Sequence, residues 1–477
     1  MPSSDAPSAV RRRDRGPGRR LRTALAVGLL AGPLSGCVVV GSGEDDQGSS
    51  RPPSSVGEGP LDRAAGSVDL RRTAGELPVT LDATVRSLRQ YWSEQLPAVY
   101  GRPFRELAGG VQPKTDASEA WSCGGQRVSY EEVQGNAFYC GGPDDDYIAY
   151  DAASLLPRLN EQHGSLTPSV VLAHEMGHAI QPRAGVEAPS VVLELQADCF
   201  AGAWVAFAED SPSDPVAVDP SALDSSVRAI PALRDQPGTP ATNPNAHGLA
   251  FDRVNAYQTG YENGAERCAR FPDGDVVVTE LPFQTVAEAQ TGGDLPYAQT
   301  LQFAVANLDA FWRSALPELP SGTAWRSPQP SPVSRPPLST CPEDEGFDPA
   351  AVAAYCAPSN AVAWSDASLA RVHGSLGDVA AASVLALVWA QAGQEQAGVP
   401  TSGTGARLEQ VCATGAWVAA VGSDPGSPVS LSPGDIDEAL FAVLTPLAPS
   451  ESEDVVSSSF ERATAFRTGL LGGLDEC

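Results

Sequence analysis

Basic side chains are scarce in this 477-residue chain: 31 Lys and Arg face 59 Asp and Glu, for a formal net charge of −28 and a pI near 4.4. A surface with that balance cannot neutralise a phosphate backbone, which excludes nucleic acid as a partner. It also disfavours lying flat on an anionic membrane. Beyond residue 36 no run of 18 or more apolar residues occurs, so the remainder is expected outside the bilayer core. No two cysteines stand in a C-x-x-C arrangement, which argues against a thiolate zinc site. Histidine numbers only five, so any pattern two of them make carries weight. Glycine and proline are plentiful, 46 and 42, and imply many turns and a length of tether. A chain this long calls for more than one domain.

The basic charge that exists is local. Residues 1–36 hold seven Arg against two acids, with Arg11–Arg22 as a positive region before the short apolar stretch Ala24–Leu34. The stretch ends in Leu34-Ser35-Gly36-Cys37, which resembles the lipobox of bacterial lipoproteins. That resemblance implies a signal peptide over 1–36, cleavage before Cys37 and a lipid on its thiol. Residues 37–79 are Gly-, Ser-, Pro- and acid-rich and read as a flexible tether. The expected location is extracytoplasmic, on the bacterial cell membrane, with membrane contact through the lipid anchor only.

The rest of the chain contains a repeat. Tyr91-Trp92 with Leu96-Pro97 recurs as Phe311-Trp312 with Leu316-Pro317. Cys199-x-x-Gly202-x-Trp204 recurs as Cys412-x-x-Gly415-x-Trp417. Phe251, Arg253, Thr259-Gly260, Gly264 and Cys268 recur as Phe460, Arg462, Thr468-Gly469, Gly473 and Cys477. The offsets fall from 220 through 213 to 209, as a few deletions between two copies of one unit would give. The copies run over 80–268 and 300–477, with 269–299 as linker. Setting Cys37 aside, the cysteines fall four to a copy: Cys123, Cys140, Cys199, Cys268, then Cys341, Cys356, Cys412, Cys477. Identical bonding within each copy leaves three patterns, of which sequence-near pairing is the simplest: 123–140, 199–268, 341–356 and 412–477.

Chemistry is concentrated in the first copy. Val170–His178 is an apolar run passing into His174-Glu175-Met176-Gly177-His178, an H-E-x-x-H pattern. Thr167-Pro168 reads as a helix N-cap followed by Pro at the first turn. On a helix, positions i and i+4 share a face, so both imidazoles reach one metal while Glu175 lies beside it as general base. A catalytic zinc needs a third protein ligand. Glu194 supplies it from a second helix that Ser190 is expected to cap, and Asp198 on the same face orients a ligand histidine.

HEMGHAIQ (174–181) with ELQADCFAGAW (194–204) resembles the neutral zinc metallopeptidase family, gluzincin-like proteins with H-E-x-x-H and a downstream E-x-x-x-D. NAFYCGG (136–142), the stretch ending at Asp151, and His247-Gly248 followed by Arg253 are similar too. The resemblance covers about 80–268 and implies a zincin-like α+β fold, mainly helical with a small sheet. It implies His174, His178 and Glu194 as zinc ligands and Glu175 as acid/base. It also implies a strand near Tyr147–Asp151 edging a cleft and pairing with an extended peptide. His247 is a further catalytic candidate, as a donor to a developing oxyanion, although a loop histidine is more often solvated. His163 and His373 occupy matching settings in both copies and read as structural.

The second copy has lost these groups. Aligned through the repeat, His174, Glu175, His178, Glu194, Asp198 and His247 face Leu387, Val388, Gln391, Arg407, Val411 and Val456. Carboxylate and imidazole are gone while Cys, Gly and Trp remain. The expectation is one Zn2+ per chain and hydrolysis of a peptide or protein substrate, with endopeptidase activity favoured and the oligomeric state left open. The competing expectation is a non-catalytic binding or assembly lipoprotein with a structural zinc.

Overall fold

A computed structural model describes residues 70–477 apart from 143, 231–233, 336–350, 424–429 and 446–456, and of 70–76 the backbone alone. Cys37, the signal peptide and the lipobox lie outside the described residues. Helix α1 spans Leu70–Tyr100, so ordered backbone begins inside the stretch expected as tether. Pro78 reads as a boundary in sequence, yet Leu77, Leu81, Leu88 and Trp92 recur at helical spacing and are buried, so packing overrides it.

Strands β1 (Gly110–Lys114), β2 (Trp121–Cys123), β3 (Gln126–Val128), β4 (Ala137–Gly141) and β5 (Asp146–Asp151) follow. Helices α2 (Leu155–His163), α3 (Leu166–Ala184), α4 (Ser190–Asp210), α5 (Pro220–Ala229) and α6 (Ala250–Cys268) complete the N-terminal half. The β2–β3 hairpin turns on Gly124-Gly125, both at positive φ, where side chains are disfavoured. Cys123 at its end is bonded to Cys140 on β4, which ties the hairpin to the main sheet.

That sheet has the order β1-β5-β4, with β5 parallel to β1 and antiparallel to β4. This corrects one expectation. Tyr147–Asp151 is the central strand, its backbone already paired on both sides, so it cannot add an extended peptide. Its buried run Tyr147–Asp151 is the continuous burial that a central strand produces.

The segment expected as linker is packed rather than free. Phe271 is buried, and Thr279 donates its N–H and hydroxyl to the Asp252 carboxylate. After the short α7 (Val286–Thr291) come α8 (Tyr297–Ala315), β6 (Gln329–Val333), β7 (Ala353–Cys356) and β8 (Ala361–Ser365). Helices α9 (Asp366–Leu376), α10 (Asp378–Ala397), α11 (Thr404–Ser423), α12 (Asp435–Leu444) and α13 (Ser459–Gly472) end the chain. Their sheet has the order β6-β8-β7, again one parallel and one antiparallel pair around a central strand.

In both halves a pair of helices crosses at glycine. A Cβ placed on Gly202 of α4 would lie 1.9 Å from the Tyr257 carbonyl oxygen, and one on Gly260 of α6 1.8 Å from that of Cys199. In α11 and α13 the same test puts Gly415 2.2 Å from the Phe466 oxygen and Gly469 1.8 Å from that of Cys412. Only glycine permits backbones this close. Disulfides Cys199–Cys268 and Cys412–Cys477 join the same helix pairs. Cys356 is also disulfide-bonded, and its expected partner Cys341 lies outside the described residues. Trp204 Nε1 donates to Ser87 Oγ in one half, and Trp417 Nε1 to Asn307 Oδ1 in the other. Helix α4 is long and apolar enough in composition to cross a bilayer, but Val191, Leu195, Phe200 and Trp204 are buried in the core.

Candidate metal centre

Helix α3 is buried on every side, every residue from Leu166 to Gln181 being covered. It starts at Leu166, with Ser165 before it, so Thr167 lies within the helix and is not its cap. Helix α4 starts at Ser190 itself, and the residue before it is Pro189. At their contact Gly177 of α3 faces α4, where an added Cβ would stand 2.9 Å from the Ala197 Cα. The small residue inside H-E-x-x-H therefore lets Glu194 reach the histidines.

His174, His178 and Glu194 converge there, each about 5–6% exposed. The two Nε2 atoms stand 3.1 Å apart. Glu194 Oε2 lies 3.3 Å from His174 Nε2 and Oε1 3.3 Å from His178 Nε2. Both Nδ1 atoms are engaged elsewhere: His174 with Asp198 Oδ1 at 2.8 Å, His178 with Gln181 Oε1 at 3.0 Å. When each Nδ1 carries the proton and donates it to its oxygen, both Nε2 lone pairs and a carboxylate face one point. Three electron-rich groups so placed fit a cation.

The surroundings hold those Nδ1 protons in place. Arg253 of α6 grips Asp198 with Nε at 2.7 Å and Nη2 at 2.9 Å, a bidentate pair almost wholly buried. Burial pushes the Asp198 carboxyl up, but Arg253 and then His174 outweigh it and hold it below its usual range. Burial likewise opposes charge on Glu194, and the facing His178 and His174 pull its carboxyl well below the ordinary value. His174 is lowered by burial and raised more strongly by Asp198 and Glu194, to about 10. His178 is raised in the same way, mainly by Glu194. The site thus attracts positive charge. Gln181 also donates Nε2 to the Leu193 carbonyl at 2.6 Å, which links the His178 partner to the start of α4.

Glu175 is 2% exposed and sits on α3 between the two histidines. His247 departs from the solvated loop residue expected. It is 8% exposed, and Asp235 takes its Nδ1 at 2.9 Å and its backbone N–H at 2.7 Å. The adjoining Gly248 packs against α4, where an added Cβ would be 3.2 Å from Leu195 Cδ2, next to Glu194. Three supports escaped the sequence reading: Gln181, Asp235 and the role of Arg253. For Gln181 the signal is its place three residues after His178 on the same helix face.

In the C-terminal half the aligned positions Leu387, Val388 and Val411 are buried, Gln391 is half-buried and Arg407 is exposed. Val456 lies outside the described residues. A like bond occurs in this half: Gln394 Nε2 donates to the Ala406 carbonyl at 3.0 Å, displaced in sequence from Gln181 and Leu193 by the repeat offset. His373 Nε2 meets the Leu295 carbonyl at 2.8 Å, a structural contact. Among the described residues one other cluster brings ligand atoms together, Asp294, Asp378 and Glu438. Two of these carboxylates cap the start of α10, accepting from the Asp378 and Val379 N–H groups.

No family model matches the chain, and no solved structure matches it. It is 29% identical over 219 residues to the uncharacterized protein Rv2575 of Mycobacterium tuberculosis, covering 41% of this chain and 70% of that one. It is 26% identical over 149 residues to the uncharacterized protein YpfJ of Escherichia coli K12, covering 27% of this chain and 50% of that one.

Proposed function

We propose that this chain is a zinc-dependent peptidase of the gluzincin-like kind, tethered by lipid outside the cytoplasm, with its chemistry confined to the N-terminal half. The observation that carries the reading is the convergence of His174, His178 and Glu194 with both Nδ1 atoms already engaged. Two nitrogens and a carboxylate, with no fourth protein ligand in the cluster among the described residues, are the donor set of a catalytic zinc and leave a position for substrate. Zinc bound there supplies a Lewis acid that polarises a carbonyl and eases deprotonation of water.

This chain's residues supply the rest. Glu175 takes the proton from the attacking water and returns it to the leaving amine. Arg253 keeps Asp198 ionised, and Asp198 holds the His174 Nδ1 proton so that Nε2 is turned toward Glu194 and the metal position. His247, held by Asp235, is a candidate donor to the developing oxyanion. The zincin-like fold and the tandem duplication belong to the same reading. They draw support from the repeated sheet order, the paired glycine crossings and the matched tryptophan bonds. Disulfides in both halves support an oxidising, extracytoplasmic location.

The test is zinc content and cleavage of an unstructured protein by wild type and Glu175→Gln. The variant is expected to keep one zinc per chain and lose at least about 10³-fold in turnover. Equal turnover in both proteins on every substrate sinks the role of Glu175.

A further inference from the structure

We infer that the C-terminal half serves the metal centre as a built-in partner, and that its Asp437 is the positioning residue through which it acts. The inference rests on the metal-centre reading above. Asp437 lies on α12 and is 1% exposed. Its Oδ2 accepts the Ala250 N–H at 3.0 Å and its Oδ1 the Phe251 N–H at 2.9 Å, so it caps α6 from the opposite half. Helix α6 lacks a cap of its own, because the residue at that place is Leu249. Two residues past Phe251 stands Arg253, whose guanidinium holds Asp198 and through it His174.

A second arm leaves the same carboxylate. Arg234 Nε lies 3.5 Å from Asp437 Oδ2, and its guanidinium stands over the Phe441 ring of α12 at 4.6 Å. Arg234 is followed by Asp235, which orients His247. One buried carboxylate from the half without the histidine pair therefore anchors both segments that steady the centre.

The reciprocal contact exists but carries no chemistry. Asp224, at the repeat offset from Asp437, accepts the Phe460 N–H at 3.0 Å at the start of α13. That helix has its own cap, since Ser458 and Glu461 form a capping box. The halves thus exchange like contacts across an approximate two-fold relation, yet only α6 depends on the exchange. Asp224 is a control matched in kind and supplied by the fold itself.

The experiment uses the full chain with Asp437→Ala, Asp437→Asn, Asp224→Ala and Asp224→Asn. Zinc affinity is measured by chelator competition, the visible spectrum is recorded with Co2+ loaded, and folding is followed by circular dichroism. The Asp437 variants are expected to bind zinc about 10–100-fold more weakly and to alter the Co2+ bands. The Asp224 variants should keep both properties while melting at a lower temperature. Asp437→Asn retains one acceptor and gives a folded comparison if Asp437→Ala does not fold. Folded Asp437 variants with wild-type affinity and spectrum overturn the inference, as do equal metal losses in both series. Wild type that takes up no zinc overturns the metal-centre reading, and the inference with it.

Discussion

The pairs α3–α4 and α10–α11 are built to one plan and filled with opposite contents. Each has a helix buried on all sides and a partner carrying Cys-x-x-Gly-x-Trp, and in each a glutamine ties the first helix to the start of the second. In the N-terminal pair the interior holds His174, His178, Glu194 and Asp198; in the C-terminal pair Leu387, Val388 and Val411 stand at the aligned places. The difference separates two kinds of cost. Burying ionisable groups without their partners is expensive, so a site that loses its chemistry is most stable once its polar residues become apolar. Glycines at backbone crossings, disulfides and capped helices serve folding in either case, and they persist in both halves.

The comparison can be broken first through the framework. Disulfides Cys199–Cys268 and Cys412–Cys477 close loops with sequence separations of 69 and 65. Removing either by paired Cys→Ala substitution should cost about 4 kcal/mol, nearly the same in each half. Guanidinium unfolding checks this, and a gap above about 2 kcal/mol between the two variants would show that the halves are not held alike.

An effect of similar size distinguishes the halves by pH. Burial pushes the Asp252 carboxyl up to about 7; bonds from Thr279 oppose the shift and nearby Asp437 adds to it. Its folded value exceeds its unfolded one, so the stability it contributes is full below about pH 4 and is lost as pH rises to about 7. The total is roughly 4 kcal/mol. At the matching place in the C-terminal half stands Glu461, in a capping box. Stability of Asp252→Asn measured from pH 4 to 8 should show a flatter profile than wild type. A wild-type slope in Asp252→Asn would refute the assignment.

The smallest effect sharpens the contrast at the site itself. Asp198→Asn keeps the shape but weakens the pull on His174 Nδ1, and should reduce zinc affinity about 10–100-fold. Val411→Ala, at the aligned place, should leave zinc affinity unchanged. Titration against a competing chelator reads both, and an equal response would place Asp198 outside the centre.

Much of the candidate centre was legible because its signals are local. His174 and His178 lie one helical turn apart, Glu194 and Asp198 one turn apart on the next helix, and the cysteines are ordered by the repeat. What escaped depends on distant partners. The central place of β5 follows from its parallel pairing with β1 across the intervening hairpin and β4, which no residue pattern within β5 announces. The cap of α6 comes from Asp437, 186 residues beyond Phe251, and Arg253 finds Asp198 at a separation of 55. The Pro-, Asn- and Ala-rich loop 236–248 reads as a solvated connection, yet Asp235 just before it turns it inward and buries His247. The early start of α1 was hidden by Pro78, whose effect on helix continuity packing of the following turns overcomes.

Joining the two halves in one chain has a consequence for how the molecule responds to dilution. Were the cap on α6 supplied by a separate subunit, its occupancy would follow protein concentration. Here it is supplied within one chain, across the packed connection 269–296, so the contact does not depend on protein concentration. A sparse population, each molecule alone, would keep α6 capped as fully as a crowded one.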